Sequence, residues 1–271
     1  MTHRPKKSLG QHFLRSASAI KAIVSSGDVT AADTVLEIGP GEGVLTAAIL
    51  ETGAKVIAVE FDHALIPILT ERFAKEIETK QFTLVESDVL KWYPKDAGLF
   101  AGKYKLVANI PYYITGAIFE KFLTEKNPPS CMVVLIQKEV ATRIVARDKK
   151  ESILSLSVKA FGVPKLTAKV PASAFRPAPK VDSAVLAVSD ISQKNFSGWN
   201  CSPDEAGKHF FDVVHAAFAH KRKLLLRNLE ATAEKETIAR AFSELSLSPN
   251  ARAEDLPLDT WMPLVRILKD K

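Results

Sequence analysis

Apolar positions in the first two hundred residues fall into short runs separated by stretches of helical period. Five runs read as strands: TVLEI (34–38), KVIAVE (55–60), FTLVE (82–86), KLVAN (105–109) and CMVVLIQ (131–137). Between them, residues 43–52, 62–77 and 115–125 space their apolar side chains as half-buried helices do. Such alternation implies parallel strands joined by crossover helices, hence an open, doubly wound α/β sheet. Two further β-rich runs, KLTAKV (165–170) and DSAVLAV (182–188), flank FRPAPKVD. Late strands of this kind often pair antiparallel at a sheet edge. Near Ser189 the pattern changes. SDISQKNFSGWNCSPDE reads as a polar linker, and beyond Asp204 the period is helical. His209, Phe210, Val213, Val214, Ala217 and Phe218 share a face, and Ile238, Phe242 and Leu245 repeat the spacing. The expected organisation is a domain over 1–194 and a small all-helical domain over 195–271.

Composition narrows the class. At 271 residues, 46% hydrophobic and 25% charged, the chain can build a real core. The opening MTHRPKKSLGQHFL lacks the apolar stretch of a secretory signal, and no apolar run is long enough to span a membrane. Two cysteines offer neither a disulfide framework nor metal-ligand spacing, so the expectation is a metal-free cytoplasmic protein. The net charge of +6 lies wholly in residues 1–200, since residues 201–271 carry 11 basic and 11 acidic side chains. That basicity suits an anionic partner such as nucleic acid.

The candidate chemistry sits at the ends of the strands. After the first strand, Gly39, Gly41 and Gly43 open a helix, a turn that lets a ligand approach the backbone. The spacing is G-x-G-x-G, not that of the dinucleotide fingerprint. Glu60 ends the second strand, where a carboxylate can take both hydroxyls of a ribose. Asp88 follows the third, placed to accept from an adenine amino group, and Asn109 ends the fourth. Glu60 or Asp62 alone reads equally well as a helix cap. A glycine turn and three polar residues at one sheet edge do not. Open α/β sheets bind ligands at that edge.

The fourth-strand motif Asn109-Ile110-Pro111-Tyr112 separates a methyltransferase from a nicotinamide enzyme. An adenine N6 amine is a poor nucleophile because its lone pair is delocalised into the ring. Acceptors on its two hydrogens, Asn109 Oδ1 and the Ile110 carbonyl held by Pro111, localise that pair toward a sulfonium methyl. Tyr112 supplies a stacking plate for an extruded base. Catalysis of this kind is mainly orientation.

With these motifs in view, the chain resembles the KsgA-type small-subunit rRNA adenine N6-dimethyltransferase family. The resemblance runs through KKSLGQHFL (6–14), LEIGPGEGVLT (36–46), VIAVEFD (56–62), ESDVLK (86–91), NIPYYIT (109–115), FRPAPKVDSAV (175–185) and FAHKRKLLLRNL (218–229). It implies a Rossmann-like S-adenosylmethionine-dependent methyltransferase sheet with a small helical C-terminal domain. It also implies dimethylation of two adjacent adenines in a hairpin loop near the 3′ end of small-subunit rRNA, within an immature subunit. By this resemblance Gln11, His12 and Leu14 contact the methionine end of the cofactor, and Gly39 and Gly41 form its glycine turn. Glu60 takes its ribose, Asp88 its adenine, and Asn109 faces its methyl group. Phe175 closes on the target adenine opposite Tyr112, although the residue alone reads equally as a core aromatic. A monomer is expected. Two positions depart from common family forms: Glu42 stands where leucine is frequent, and Tyr113 where asparagine is frequent.

Basic residues are candidates for RNA contact: Arg143, Arg147, Lys149 and Lys150 after the fifth strand, and Lys221, Arg222, Lys223 and Arg227 where two late helices meet. Competing readings are a large-subunit rRNA adenine methyltransferase of the macrolide-resistance type, a DNA adenine methyltransferase, and a ribosome-assembly factor. Ile110 departs from the D/N-P-P-Y/F of the DNA enzymes. Cytosine C5 chemistry needs a cysteine nucleophile, and Cys131 lies in an apolar strand and Cys201 in the linker.

Overall fold

Parallel strands buried on both faces need continuous apolar runs, and the centre of the chain supplies them. The computed structural model describes Lys6, residues 10–145 and residues 149–269. Its strands are β1 (Phe13–Leu14), β2 (Thr34–Ile38), β3 (Lys55–Glu60), β4 (Phe82–Glu86), β5 (Lys105–Asn109), β6 (Cys131–Gln137), β7 (Val163–Val170), β8 (Phe175–Arg176) and β9 (Ser183–Ser189). The helices up to β7 are α1 (Ala17–Ser26), α2 (Val44–Leu50), α3 (Ile66–Arg72), α4 (Ala74–Glu78), α5 (Thr115–Thr124), α6 (Lys138–Ile144) and α7 (Ile153–Phe161). After β9 come α8 (Pro203–Phe218), α9 (Leu225–Leu229), α10 (Lys235–Glu244) and α11 (Leu258–Lys269).

Seven strands form one sheet in the order β4-β3-β2-β5-β6-β9-β7. The first five are parallel, with Val35 opposite both Val56 and Lys105. β9 runs antiparallel to β6 and β7 antiparallel to β9, as the late-strand pattern implied. Alternation sends Val35, Val107, Val133 and Val185 into one core layer with Ile23 of α1 and Ile49 of α2. Leu36, Leu106, Val134 and Leu186, equally buried, therefore face the other layer. β7 exposes every second residue and carries Lys165, Thr167 and Lys169, the polar outer row of an edge strand. Strand order reverses between β2 and β5, and a ligand crevice opens at such a switch point.

Two helical expectations differ from the structure. The stretch 62–77 is not one helix but a 3-10 turn at His63–Leu65, then α3, then α4, broken at Phe73. Phe73 turns its ring onto Phe82, with centroids 5.0 Å apart, and against Gly43, where a Cβ would lie 2.5 Å from the ring. Tertiary packing thus overrides helical period there. The short strands β1 and β8 and the helices α1, α6 and α7 were not anticipated.

The described residues divide into two compact units. One runs to Ala141 and resumes at Val163–Ile191; the other joins Thr142–Gly162 to the residues from Ser192 onward. Residues 142–162 are therefore grouped with the C-terminal helices, whereas the sequence suggested a single cut at 194/195. The reason is aromatic. Phe161 packs on Phe196 at 4.9 Å, and Phe196 on Phe210 at 5.7 Å. Phe196 is fully buried, so the segment that reads as polar linker contributes an anchor to the helical core. α8 starts at a capping box between Ser202 and Glu205, with Pro203 in the first turn. Among the described residues, no helix is long and apolar enough to cross a membrane.

Candidate functional site

A cleft of about 290 Å³ lies at the carboxyl ends of β2, β3, β4 and β5, lined by the turns that follow each strand. Four of its walls were expected from sequence. Gly39 and Gly41 line it with left-handed backbone, φ 64° and 60°. A Cβ on Gly39 would meet nothing within 4 Å, so the backbone there is open to a ligand. Glu60, Asp88 and Asn109 also line the cleft.

Glu60 is 5% exposed, and each of its oxygens is engaged by backbone. Gly41 N–H donates to one at 3.2 Å and Asp62 N–H to the other at 2.7 Å. The carboxylate thereby ties the glycine turn to the end of β3. Burial pushes its pKa up despite these donors. Asp88 accepts from Leu90 N–H at 3.0 Å, the bond that shapes the turn after β4.

Asn109 is half-buried, and its side-chain N–H donates to the His12 carbonyl at 3.1 Å. That bond fixes which end of the amide is donor, leaving Oδ1 as the acceptor in the cleft. Pro111, φ −58° and ψ 133°, leads into a 3-10 turn at Tyr112–Ile114, and Thr115 Oγ1 donates back to the Tyr112 carbonyl at 2.9 Å. The Tyr112 ring is held at two places. Its hydroxyl meets Ser183 Oγ at 2.7 Å, and the His12 ring stacks near it with centroids 6.1 Å apart. Burial raises the pKa of the Tyr112 phenol, so it stays neutral. His12 Nδ1 in turn donates to the Pro177 carbonyl at 2.7 Å.

The N-terminal segment forms one wall. Gln11, His12 and Leu14 all line the cleft. Gln11 spends its amide on the protein itself: Nε2 donates to Asp62 at 2.8 Å, and Oε1 accepts from Lys6 N–H at 2.7 Å. The Lys6 ammonium pairs with Asp62 at 2.6 Å. Burial opposes ionisation of Asp62, but the Lys6 ammonium and the Gln11 amide hold its carboxyl below the usual value. Asp62 also caps the 3-10 turn after β3 through Ala64 N–H.

One expected residue is not brought to the cleft. Phe175 is 5% exposed and packs in the core of the sheet domain. β8 pairs with β1, placing Phe175 opposite Leu14, which belongs both to the core and to the cleft wall. Phe175 itself is among the core residues and not among those lining the cleft. Of the basic residues, Arg143, Lys149, Lys150, Lys221, Arg222, Lys223 and Arg227 are all exposed. Lys150 is ion-paired with Asp255 and Glu254, and Arg227 with Glu230, so these charges already have partners. Arg147 lies outside the described residues.

Sequence reasoning missed two cleft residues. Glu37, inside the glycine motif, is 1% exposed, and its Oε2 has no hydrogen-bond partner among the described residues. Burial pushes its pKa up to about 8, and the neighbouring Glu60 adds to the rise. Only burial distinguishes it from an ordinary strand glutamate. Phe61, directly after Glu60, lines the cleft yet is 63% exposed. An aromatic following an acidic strand end was a readable signal for a flat ligand.

Comparison with known proteins agrees with this geometry. The profile of the ribosomal RNA adenine dimethylase family matches residues 2–270. A ribosomal RNA small subunit methyltransferase A from Dehalococcoides mccartyi is 40% identical over 265 residues, covering 97% of this chain and 88% of its own. Two solved structures share the fold at lower identity. A dimethyladenosine transferase from Plasmodium falciparum is 24% identical with a TM-score of 0.76, covering 93% of this chain and 96% of its own. A 23S rRNA methyltransferase, ErmE, is 22% identical with a TM-score of 0.70, covering 95% and 100%. The doubly wound sheet, its glycine turn and an Asn-Ile-Pro-Tyr strand end thus stand in a member of the S-adenosylmethionine-dependent ribosomal RNA adenine dimethylase family.

Proposed function

We propose that this enzyme dimethylates N6 of two adjacent adenines in the 3′-terminal hairpin loop of small-subunit rRNA, acting on an immature subunit. The observation that carries the reading is Asn109. Its donor end is fixed on the His12 carbonyl, and its acceptor end shares a cleft with Gly39, Glu60 and Asp88.

The cleft suits S-adenosylmethionine on its own features. The buried Glu37 oxygen that lacks a partner fits an ammonium group. The Cβ-free space at Gly39 fits a close backbone approach, and exposed Phe61 fits the face of an adenine. Glu60 would take ribose hydroxyls, Asp88 the adenine amino group, and the walls at Gln11, His12 and Leu14 the methionine end. When bound, the cofactor supplies an electrophilic methyl group on a sulfonium.

The remaining chemistry belongs to the chain. Asn109 Oδ1 and the Ile110 carbonyl accept the two N6 hydrogens of the target adenine and localise the nitrogen lone pair. Pro111 sets the angle between those acceptors. Tyr112, held by Ser183 and His12, gives the base a flat wall. A methylated, protonated amine loses its proton readily to water, so no strong base is needed in the cleft. Exposed Arg143, Lys149, Lys221, Arg222 and Lys223 would contact RNA phosphates and position the substrate without reading bases. Residues 142–162 with 192–271 would form the RNA-contacting unit.

The test is tritiated methyl transfer to small subunits lacking the modification, with free rRNA and large subunits in parallel. Label should appear at two neighbouring adenines of the small-subunit 3′ hairpin. Incorporation confined to large subunits overturns the assignment of substrate.

A further inference from the structure

The cleft rim holds two exposed aromatic side chains, Phe61 at 63% and Tyr113 at 67% exposure. The sheet order separates their tasks. Phe61 follows β3 and Tyr113 follows β5, with β2 between them. The turns that carry them therefore follow strands that are not neighbours in the sheet. Phe61 adjoins Glu60, on the side of the cleft suited to an adenosine. Tyr113 adjoins Tyr112, on the side suited to the base that receives the methyl group.

Tyr113 is built as a platform. A methyl group placed on Gly10 would come within 3.5 Å of two atoms of its ring, so the ring lies against a stretch of backbone that has no side chain. Support from behind and exposure elsewhere is the arrangement of a stacking surface. Its neighbour Tyr112 is fixed through Ser183 and stacked near His12, whereas no aromatic ring among the described residues pairs with Tyr113. The two tyrosines are consecutive in the 3-10 turn that follows β5, and both line the same cleft.

We infer that Tyr113 is a stacking subsite for an unpaired base of the substrate RNA, the one next to the adenine held at Tyr112. This rests on the proposed rRNA adenine reading and adds a second base to it. Aromatic platforms hold unpaired bases without reading their identity, because every base has a π-face. Continuity with the cleft and distance from the adenosine side favour a base of the RNA over the cofactor as occupant.

The experiment uses the full chain with Tyr113→Ala and Tyr113→Phe. Three quantities are read: S-adenosylmethionine affinity by calorimetry, single-turnover methyl transfer to unmodified small subunits across subunit concentration, and fluorescence of a hairpin RNA carrying 2-aminopurine beside the target adenine. Tyr113→Ala should raise the half-saturating subunit concentration about 5- to 150-fold, the range of one lost base–aromatic stack. It should leave cofactor affinity unchanged and relieve the 2-aminopurine quenching seen with the parent chain. Tyr113→Phe should behave as the parent in all three. Unchanged saturation and quenching in Tyr113→Ala overturn the subsite, as does a loss of cofactor affinity, which would assign the ring to the cofactor. Failure of the parent chain to methylate small subunits would instead overturn the reading of substrate, which keeps the two conclusions separable.

Discussion

At the residue scale, the decisive feature is the amide of Asn109, whose two ends have different tasks. Asn109→Ala should keep the fold, since the residue ends β5 half-buried, yet lower methyl transfer by about two or more orders of magnitude, as expected for loss of one preorganised group. A single-turnover assay at saturating cofactor and subunit measures it, and near-parent turnover would remove Asn109 from the chemistry. Tyr112→Phe should retain much of the rate because the ring still stacks. It will also leave the fully buried Ser183 hydroxyl unpaired, at a stability cost of about 1–3 kcal/mol. Glu37 predicts a pH dependence. Its folded pKa of about 8 stands above the ordinary glutamate value of 4.5, so the folded chain binds the extra proton between those values. The cofactor-free enzyme should therefore lose stability as pH rises from 4.5 to 8 and level off beyond, and Glu37→Gln should flatten that slope. A cation placed at Glu37 favours the ionised form, so cofactor affinity should rise over the same window. Thermal unfolding and calorimetry across pH check both signs.

At the scale of elements, the N-terminal segment is a strap held by polar ties. Lys6 and Gln11 fasten it to Asp62, and Arg15 pairs with Glu42 at 2.5 Å on the glycine turn. Strands β1 and β8 add two paired residues. Since residues 10–14 wall the cleft, Lys6→Met should loosen cofactor binding by about 1 kcal/mol, a modest figure because Lys6 is half exposed and screened. The variant should also lose much of the salt sensitivity of cofactor release, which stopped-flow measurement would reveal; equal salt dependence in parent and variant would show that the strap is not held by this pair. Gly43 works differently. With φ at 77° and Phe73 2.5 Å from a Cβ site, Gly43→Ala should destabilise the fold by more than about 1 kcal/mol. Denaturant unfolding would show this without any assay of activity.

At the scale of the whole molecule, the charge excess in residues 1–200 and the exposed 221–223 run are separate features. If the run meets phosphates, Lys221, Arg222 and Lys223 replaced together by Ala should weaken subunit binding and lower the logarithmic salt slope by about two. Cofactor affinity should stay as it was. A parent-like slope would mean that the run is merely a solvated surface. Lys150 and Arg227 are weaker choices for such a test, because acidic neighbours already engage them.

What the sequence by itself determined was the sheet. The five parallel strands match their expected bounds, because four of them are largely buried runs with no competing period and the edge strand β4 still reads as a short β-branched and aromatic run. The polar residues at their carboxyl ends were legible too, since parallel strands bring equivalent ends to one edge. Everything that depended on which surfaces meet was decided by tertiary structure. Phe175 could serve core or cleft equally until β8 paired with β1. The apolar period over 62–77 could not show that Phe73 would turn inward against Gly43 and break the helix. Phe196, one aromatic in a polar stretch, joined the helical core only through Phe161 and Phe210. Glu37 is an unremarkable letter in a strand until burial takes its carboxylate out of water and leaves one of its oxygens without a partner among the described residues. Local period is a property of neighbours in the chain, whereas burial and pairing are properties of neighbours in space.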